Sequence, residues 1–260
     1  MKVITSRDNP LYKRLKALAG STQQQRRSGQ ALLEGLHLAS AYLDAAGQPA
    51  LCIATDSAWQ LDEAQRIADR IDPNRLVTLP DALFGQLSGV VNGIGFLMLV
   101  ATPAPALPAR VTRTSVVLDG VQDAGNVGSI LRSAAAAGVK HVFCMPGTAH
   151  AWSSKVLRSG MGAHFLLDVY EDVDAEGLRA RLDVSVALTD SHGAQAIYDC
   201  DLSRPVAWVF GNEGAGVSAP WREAAAYRVT IPQPGGMESL NVAAAAAVCL
   251  FEQCRQQRGG

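Results

Sequence analysis

The stretch SVVLDGVQDAGNVGSILRSAAAAGVKHVFCM, residues 115–145, holds an apolar run, a small-residue amphipathic segment and a second apolar run. Ser115–Leu118 and Val142–Met145 lack strict polar alternation and read as strands buried on both faces. Between them Val127–Ala137 reads as a helix, entered through a tight turn made by Asp-Gly and Ala-Gly steps. Two strands joined by a helix lie parallel. The alternation continues: Ser154–Met161 is helix-like, while Phe165–Val169, Val184–Leu188, Val206–Phe210 and Tyr227–Ile231 are strand-like. A long Ala-rich helix then starts at Leu240. The expected architecture is a doubly wound α/β domain with a parallel sheet, binding its ligand beyond the carboxyl ends of the strands.

Upstream of this domain, ATPAPALPAR (101–110) sets three prolines among alanines and reads as a semi-rigid linker over 102–109. It separates a unit at 1–101 from one at 110–260. In the first, Asn9–Ala19 carries Leu11, Leu15 and Leu18 at helical spacing, and Gly35–Ala46 is a second helix. Leu51–Ala54, Leu76–Leu79 and Gly95–Val100 are strand candidates, separated by the amphipathic stretches Trp59–Ile71 and Asp81–Leu87. That is a small α/β unit preceded by a basic helical segment.

The chain of 260 residues has a formal net charge of −1, which excludes a uniformly basic nucleic-acid coat. The balance conceals its arrangement. Residues 1–30 hold Lys2, Arg7, Lys13, Arg14, Lys16, Arg26 and Arg27 against Asp8 alone, so this segment carries +6 and the remainder −7. A basic segment on an acidic body suits the positioning of phosphates. Charged residues make up 18%, below the roughly 25% usual for a globular protein, so covered surface and an oligomer are expected. The longest apolar run, Val242–Phe251, falls short of the ~18 residues that span a bilayer, and MKVITSRDNPLYKR has no signal-peptide core. The five cysteines are scattered without a CxxC pair, which points to reduced thiols in the cytoplasm. The five histidines show no ligand spacing, so no metal is expected; His164 and His192 read as structural or exposed.

Three loops sit at strand ends. In the first, Leu118–Val139, Asn126 lies at or just before the first helical turn, and Arg132 lies about 120° further round an ideal helix. Asn126 reads as a helix cap or as a loop residue in a cleft, and Arg132 as a surface or a cleft residue. In the second, Trp208–Ser218, Gly211, Gly214 and Gly216 lack the GK[ST] ending of a phosphate loop, and Glu213 would repel phosphate. In the third, Ile231–Val248, Pro232 and Pro234 stiffen the chain, Gly235–Gly236 free the backbone, and Ser239 and Asn241 open the last helix. Amides at that helix start favour an anionic group, and plain capping is the simplest role for Ser239.

Jointly, DxGNxGSxxRxAxAxG (123–138), FGNEGxG (210–216) and IPxxGxxESLNVAxAxA (231–247) resemble the three ordered motifs of SpoU, or TrmH-type, RNA 2′-O-methyltransferases of the SPOUT superfamily. ITSRDNPLYKRLKAL (4–18) and ALLEGLHLASAYL (31–43) are similar to the N-terminal substrate-binding domain of many such enzymes, so the likeness spans nearly the whole chain. The resemblance implies an α/β catalytic domain with a C-terminal trefoil knot, a ribosomal-protein-like first domain, and a homodimer. The implied cofactor is S-adenosylmethionine, with Thr189, Gly211, Ile231 and Leu240 as contacts. Asn126, Arg132, Glu213, Ser239 and Asn241 are the implied catalytic residues. A guanidinium is a poor base, so Arg132 is expected to orient a phosphate and stabilise the developing alkoxide. Glu213 is expected to serve organisation or catalysis rather than cofactor affinity. RNA contacts are expected from Lys13, Arg14, Arg26, Arg27 and Arg158, with Lys155 beside them.

The expected activity is therefore 2′-O-methylation of a ribose in 23S ribosomal RNA, in the cytoplasm. Two alternatives stay open: a tRNA 2′-O-methyltransferase, and a catalytically silent RNA-binding ribosome-assembly factor. A nucleotide-dependent dehydrogenase lacks both the glycine fingerprint and the acidic ribose-binding residue at the expected spacing.

Overall fold

Residues 1–90, 93–190 and 195–258 are described by the structure, a computed structural model; His192 lies outside them. The chain forms two units, Met1–Pro103 with Trp152–Phe165, and Ala104–Ala151 with Leu166–Gly260.

The first unit comprises β1 (Lys2–Val3), α1 (Pro10–Gly20), α2 (Thr22–Ser28), β2 (Gln30–Glu34), α3 (Leu36–Ala46) and β3 (Leu51–Ala54). It continues with α4 (Asp56–Trp59), α5 (Asp62–Ala68), β4 (Leu76–Thr78), α6 (Asp81–Phe84) and β5 (Phe96–Ala101), and it takes in α8 (Ser154–Gly160) from further along the chain. Helix α1 starts where Asn9 Oδ1 accepts from Leu11 N and Pro10 presets the first turn. It buries Tyr12, Leu15 and Leu18 against Ile53, Val77 and Leu97, which leaves Lys13 and Arg14 exposed. The basic segment is thus a pair of packed helices, with Arg26 and Arg27 exposed on α2. The sheet order is β1-β4-β3-β5-β2, with β5 antiparallel to both of its neighbours. The amphipathic stretch expected over Trp59–Ile71 holds α5, whose first turn opens with Asp62 and Glu63, while Trp59 is the last residue of the Thr55-capped α4. Helix α8 lies near β2, where Arg158 Nη1 donates to Glu34 Oε2 at 3.2 Å. The largely buried Glu34 also accepts from Gly89 N at 3.2 Å and from Ser88 Oγ. His164 is buried against Trp152, with ring centroids 5.1 Å apart, a structural placement.

The second unit comprises β6 (Ser115–Asp119), α7 (Ala124–Ala136), β7 (His141–Cys144), β8 (Asp168–Tyr170), α9 (Ala175–Arg179) and β9 (Ser185–Thr189). It ends with β10 (Gln195–Ala196), β11 (Val206–Gly211), α10 (Ala219–Ala224), β12 (Ala225–Thr230) and α11 (Val242–Arg258). All seven strands are parallel, in the order β10-β12-β9-β11-β6-β7-β8, as the unalternating apolar runs require. The strand expected over Phe165–Val169 begins only at Asp168, because Ala163–Phe165 forms a 3₁₀ turn. From β6 the chain winds through α7 to β7 on one side, whereas β11 leads through α10 to β12 on the other. The switch point of the sheet therefore falls between β6 and β11, the place where α/β proteins build sites. Helix α11 packs on α7 and is pinned to the sheet by Trp208 Nε1, which donates to Gln253 Oε1 at 2.8 Å. Among the described residues no helix is long and apolar enough to cross a membrane.

Candidate active site

At the switch point the loops leaving β6 and β11 are laced together. Asn212 Nδ2 donates to Gly120 O, and Asn212 Oδ1 accepts from Gly214 N and Ala215 N, each at 2.9 Å. Asp119 Oδ2 accepts from Ser218 N at 2.7 Å. Asn212 and Gly216 also exchange backbone hydrogen bonds, folding the Gly-rich segment back on itself. Gly211 is buried against this fold: a Cβ there would collide with the backbone of Gly216 and Val217. Loop closure alone thus demands glycine at 211.

Glu213 joins the three loops. Its Oε2 accepts from Gln122 N at 3.1 Å, and its Oε1 accepts from Asp123 N at 3.2 Å and Asn126 Nδ2 at 3.0 Å. Asn126 Oδ1 in turn accepts from Asn241 Nδ2 at 2.9 Å. Asn241 Oδ1 accepts from Ala243 N and Ala244 N, so it caps α11 while holding Asn126. Two sequence readings are corrected here. Asn126 is neither the cap nor a loop residue: it lies inside α7, and Asp123 caps that helix by accepting from Asn126 N at 2.9 Å. The helix expected from Leu240 begins at Val242, with Asn241 rather than Ser239 as its cap.

Burial acts to raise the pKa of Glu213, but hydrogen bonds from Asn126 and from the amides of Gln122, Glu213 and Asp123 outweigh it and hold the carboxyl below its ordinary value. Because the folded pKa is the depressed one, its stabilising effect is complete above the ordinary carboxyl value and is lost as pH falls through the folded pKa. Glu213→Gln is accordingly expected to flatten the acid limb of stability against pH between pH 7 and pH 3. Urea unfolding midpoints test this, and superimposable profiles for the two proteins would overturn it.

Arg132 is exposed on α7, six residues after Asn126, and makes no hydrogen bond or ion pair among the described residues. Ser239 is exposed and lines a pocket of about 120 Å³ at the ends of β9 and β12. Thr189, Ile231 and Leu240 line the same pocket, together with Asp190, Val229 and Gln233, residues that sequence reasoning did not single out. Gly211, by contrast, belongs to the adjoining loop. The side-chain carbonyl of Gln233 is buried without a donor among the described residues. Asn212, Asp119 and Asp123 were likewise missed. An Asn two residues before Gly, and an Asp three residues before Asn126, are the Asx-turn and cap signals that could have found Asn212 and Asp123.

The sequence profile of the SpoU rRNA methylase family matches residues 113–251, from the start of the parallel sheet to α11. The chain belongs to the SpoU rRNA methylase family. A tRNA/rRNA methyltransferase of Synechocystis, named as uncharacterized, is 34% identical over 98% of this chain and 94% of that protein. The 23S rRNA (uridine(2479)-2′-O)-methyltransferase of Streptomyces viridochromogenes is 30% identical over 99% and 93%. Among solved structures, the SpoU methyltransferase AviRb from Streptomyces viridochromogenes, in complex with AdoMet, superposes with a TM-score of 0.85 at 26% identity. That match covers 97% of this chain and 100% of AviRb.

Proposed function

We propose that this chain is an S-adenosylmethionine-dependent enzyme that methylates a ribose 2′-oxygen in 23S ribosomal RNA. The observation that carries the reading is the Glu213–Asn126–Asn241 chain of hydrogen bonds, which ties all three SpoU motifs together beside the pocket at Ile231 and Leu240. The residues there fit the cofactor: mixed apolar and hydroxyl walls, an acidic residue at 190, and a buried carbonyl on Gln233 lacking a donor. When bound, S-adenosylmethionine would supply an electrophilic methyl group on a sulfonium sulfur, with the ribose 2′-oxygen as the acceptor of that methyl. Thr189, Gly211, Ile231 and Leu240 would hold it, largely through backbone groups.

The guanidinium of Arg132 is a planar fork of donors, so it orients the nucleotide phosphate and stabilises negative charge on the attacking oxygen. Asn126, Ser239 and Asn241 position the ribose and Arg132. Six residues along α7 place Arg132 about 120° from Asn126, away from the pocket-side hydrogen bonds. That divergence supports a homodimer in which Arg132 of one protomer serves the pocket of its partner. We also infer the trefoil knot in the last segment, because after β12 the chain has to return past β9 and β11 to dock α11 on α7.

Residues 1–101, before the linker at 102–109, are proposed as the RNA-binding domain, with Lys13, Arg14, Arg26 and Arg27 on its exposed helical surface. Arg158 is held by Glu34, so its proposed part is to brace this unit as much as to touch RNA. Replacing Lys13, Arg14, Arg26 and Arg27 by glutamine is expected to weaken binding to unrelated RNAs alike. The slope of log affinity against log salt should fall by up to about one for each phosphate no longer neutralised. Filter binding at several salt concentrations reads this out, and an unchanged slope would remove these residues from the interface. Mapping 2′-O-methylation in cytoplasmic RNA from cells lacking the protein tests the activity itself. One lost methyl group in 23S rRNA is expected; a loss confined to tRNA, or an unchanged map, overturns the reading.

A further inference from the structure

Gln233 stands out among the buried polar groups. Its side-chain carbonyl is fully shielded yet receives no hydrogen bond among the described residues, a condition that costs free energy unless a ligand relieves it. It lines the pocket at the ends of β9 and β12, where Val229, Ile231, Leu240 and Ala245 supply an apolar wall. Its backbone is also held rigidly. Pro232 and Pro234 flank it, Pro234 biases Gln233 itself toward an extended conformation, and the Gln233 carbonyl accepts from Gly236 N across a turn closed by Gly236 at φ +77°. A neutral acceptor, pre-set beside this apolar wall, matches a neutral donor on a flat apolar body.

We propose that Gln233 reads the 6-amino group of the cofactor's adenine, its side-chain carbonyl accepting one amine hydrogen. This rests on S-adenosylmethionine being the cofactor, and it adds a side-chain specificity contact to a pocket otherwise credited with backbone contacts. Discrimination then comes from the buried carbonyl: a purine lacking the amine leaves it unpaired, as in the ligand-free protein.

The experiment is calorimetric titration of the full-length protein with S-adenosylhomocysteine and with its analogue carrying hydrogen in place of the 6-amino group. Wild type is expected to bind the amino form about 10-fold tighter, and Gln233→Leu to bind both forms alike within about 2-fold. Equal affinity of wild type for the two ligands overturns the proposal without reference to any variant. So does a Gln233→Leu protein that keeps the full preference. Failure of wild type to bind S-adenosylhomocysteine at all would instead remove the cofactor assignment, and this inference with it.

Discussion

Arg132→Ala is expected to leave cofactor affinity unchanged and to slow methyl transfer by about 100-fold or more, the usual cost of removing a group that stabilises charge developing on oxygen. The fold gives a clean background for the test. Arg132 is exposed and makes no hydrogen bond or ion pair among the described residues, so no native partner is orphaned by its removal and thermal stability should hold. Arg132→Lys keeps the charge but loses the planar fork, so an intermediate rate is expected if bidentate phosphate binding matters. Single-turnover transfer to rRNA, alongside calorimetry with S-adenosylhomocysteine, separates the two effects. Unimpaired turnover by Arg132→Ala would end the proposed role.

The largest loss of stability is expected at Trp208. It is fully buried in β11, stacks nearly parallel to Phe210 with ring centroids 6.2 Å apart and 8° between planes, and anchors Gln253 of α11. Trp208→Ala should cost about 3–5 kcal/mol from the cavity and the apolar area no longer buried. Trp208→Phe fills much of the space but strands the Gln253 carbonyl, for about 1–3 kcal/mol. Urea unfolding distinguishes the two, and a midpoint unmoved by Trp208→Ala would contradict the packing. Since α11 carries Asn241 at its start, a loosened α11 should also weaken the Asn241–Asn126 hydrogen bond, so activity is expected to fall at temperatures well below unfolding.

The parallel sheet was legible because its strands are short apolar runs whose burial leaves no other reading, Val206–Phe210 above all. The site was legible in composition but not in connectivity. Glu213, Asn126 and Asn241 were picked out, yet their mutual hydrogen bonds span sequence separations of 87 and 115 residues, which local periodicity does not encode. Capping was misassigned to Ser239 because serine and asparagine compete for that role and only the backbone path after Gly236 decides between them. β2 left no separate signal, because its ALLE run merges with the apolar helix that follows; only pairing with β5 resolves it. Gln233 was invisible as a functional residue, since its distinguishing property is an unmet hydrogen bond.

The segment Trp152–Phe165 leaves the parallel-sheet unit after β7 and groups with the first unit before the chain returns at β8. The polypeptide therefore crosses between units at 103/104, 151/152 and 165/166 rather than once. Recombination at the proline-rich stretch alone would graft a foreign first unit onto a chain whose α8 still bears the old partner for Glu34. Exchanging the first unit between relatives would therefore require co-inheritance of both pieces, so the two are expected to diverge as a matched pair and not as interchangeable modules.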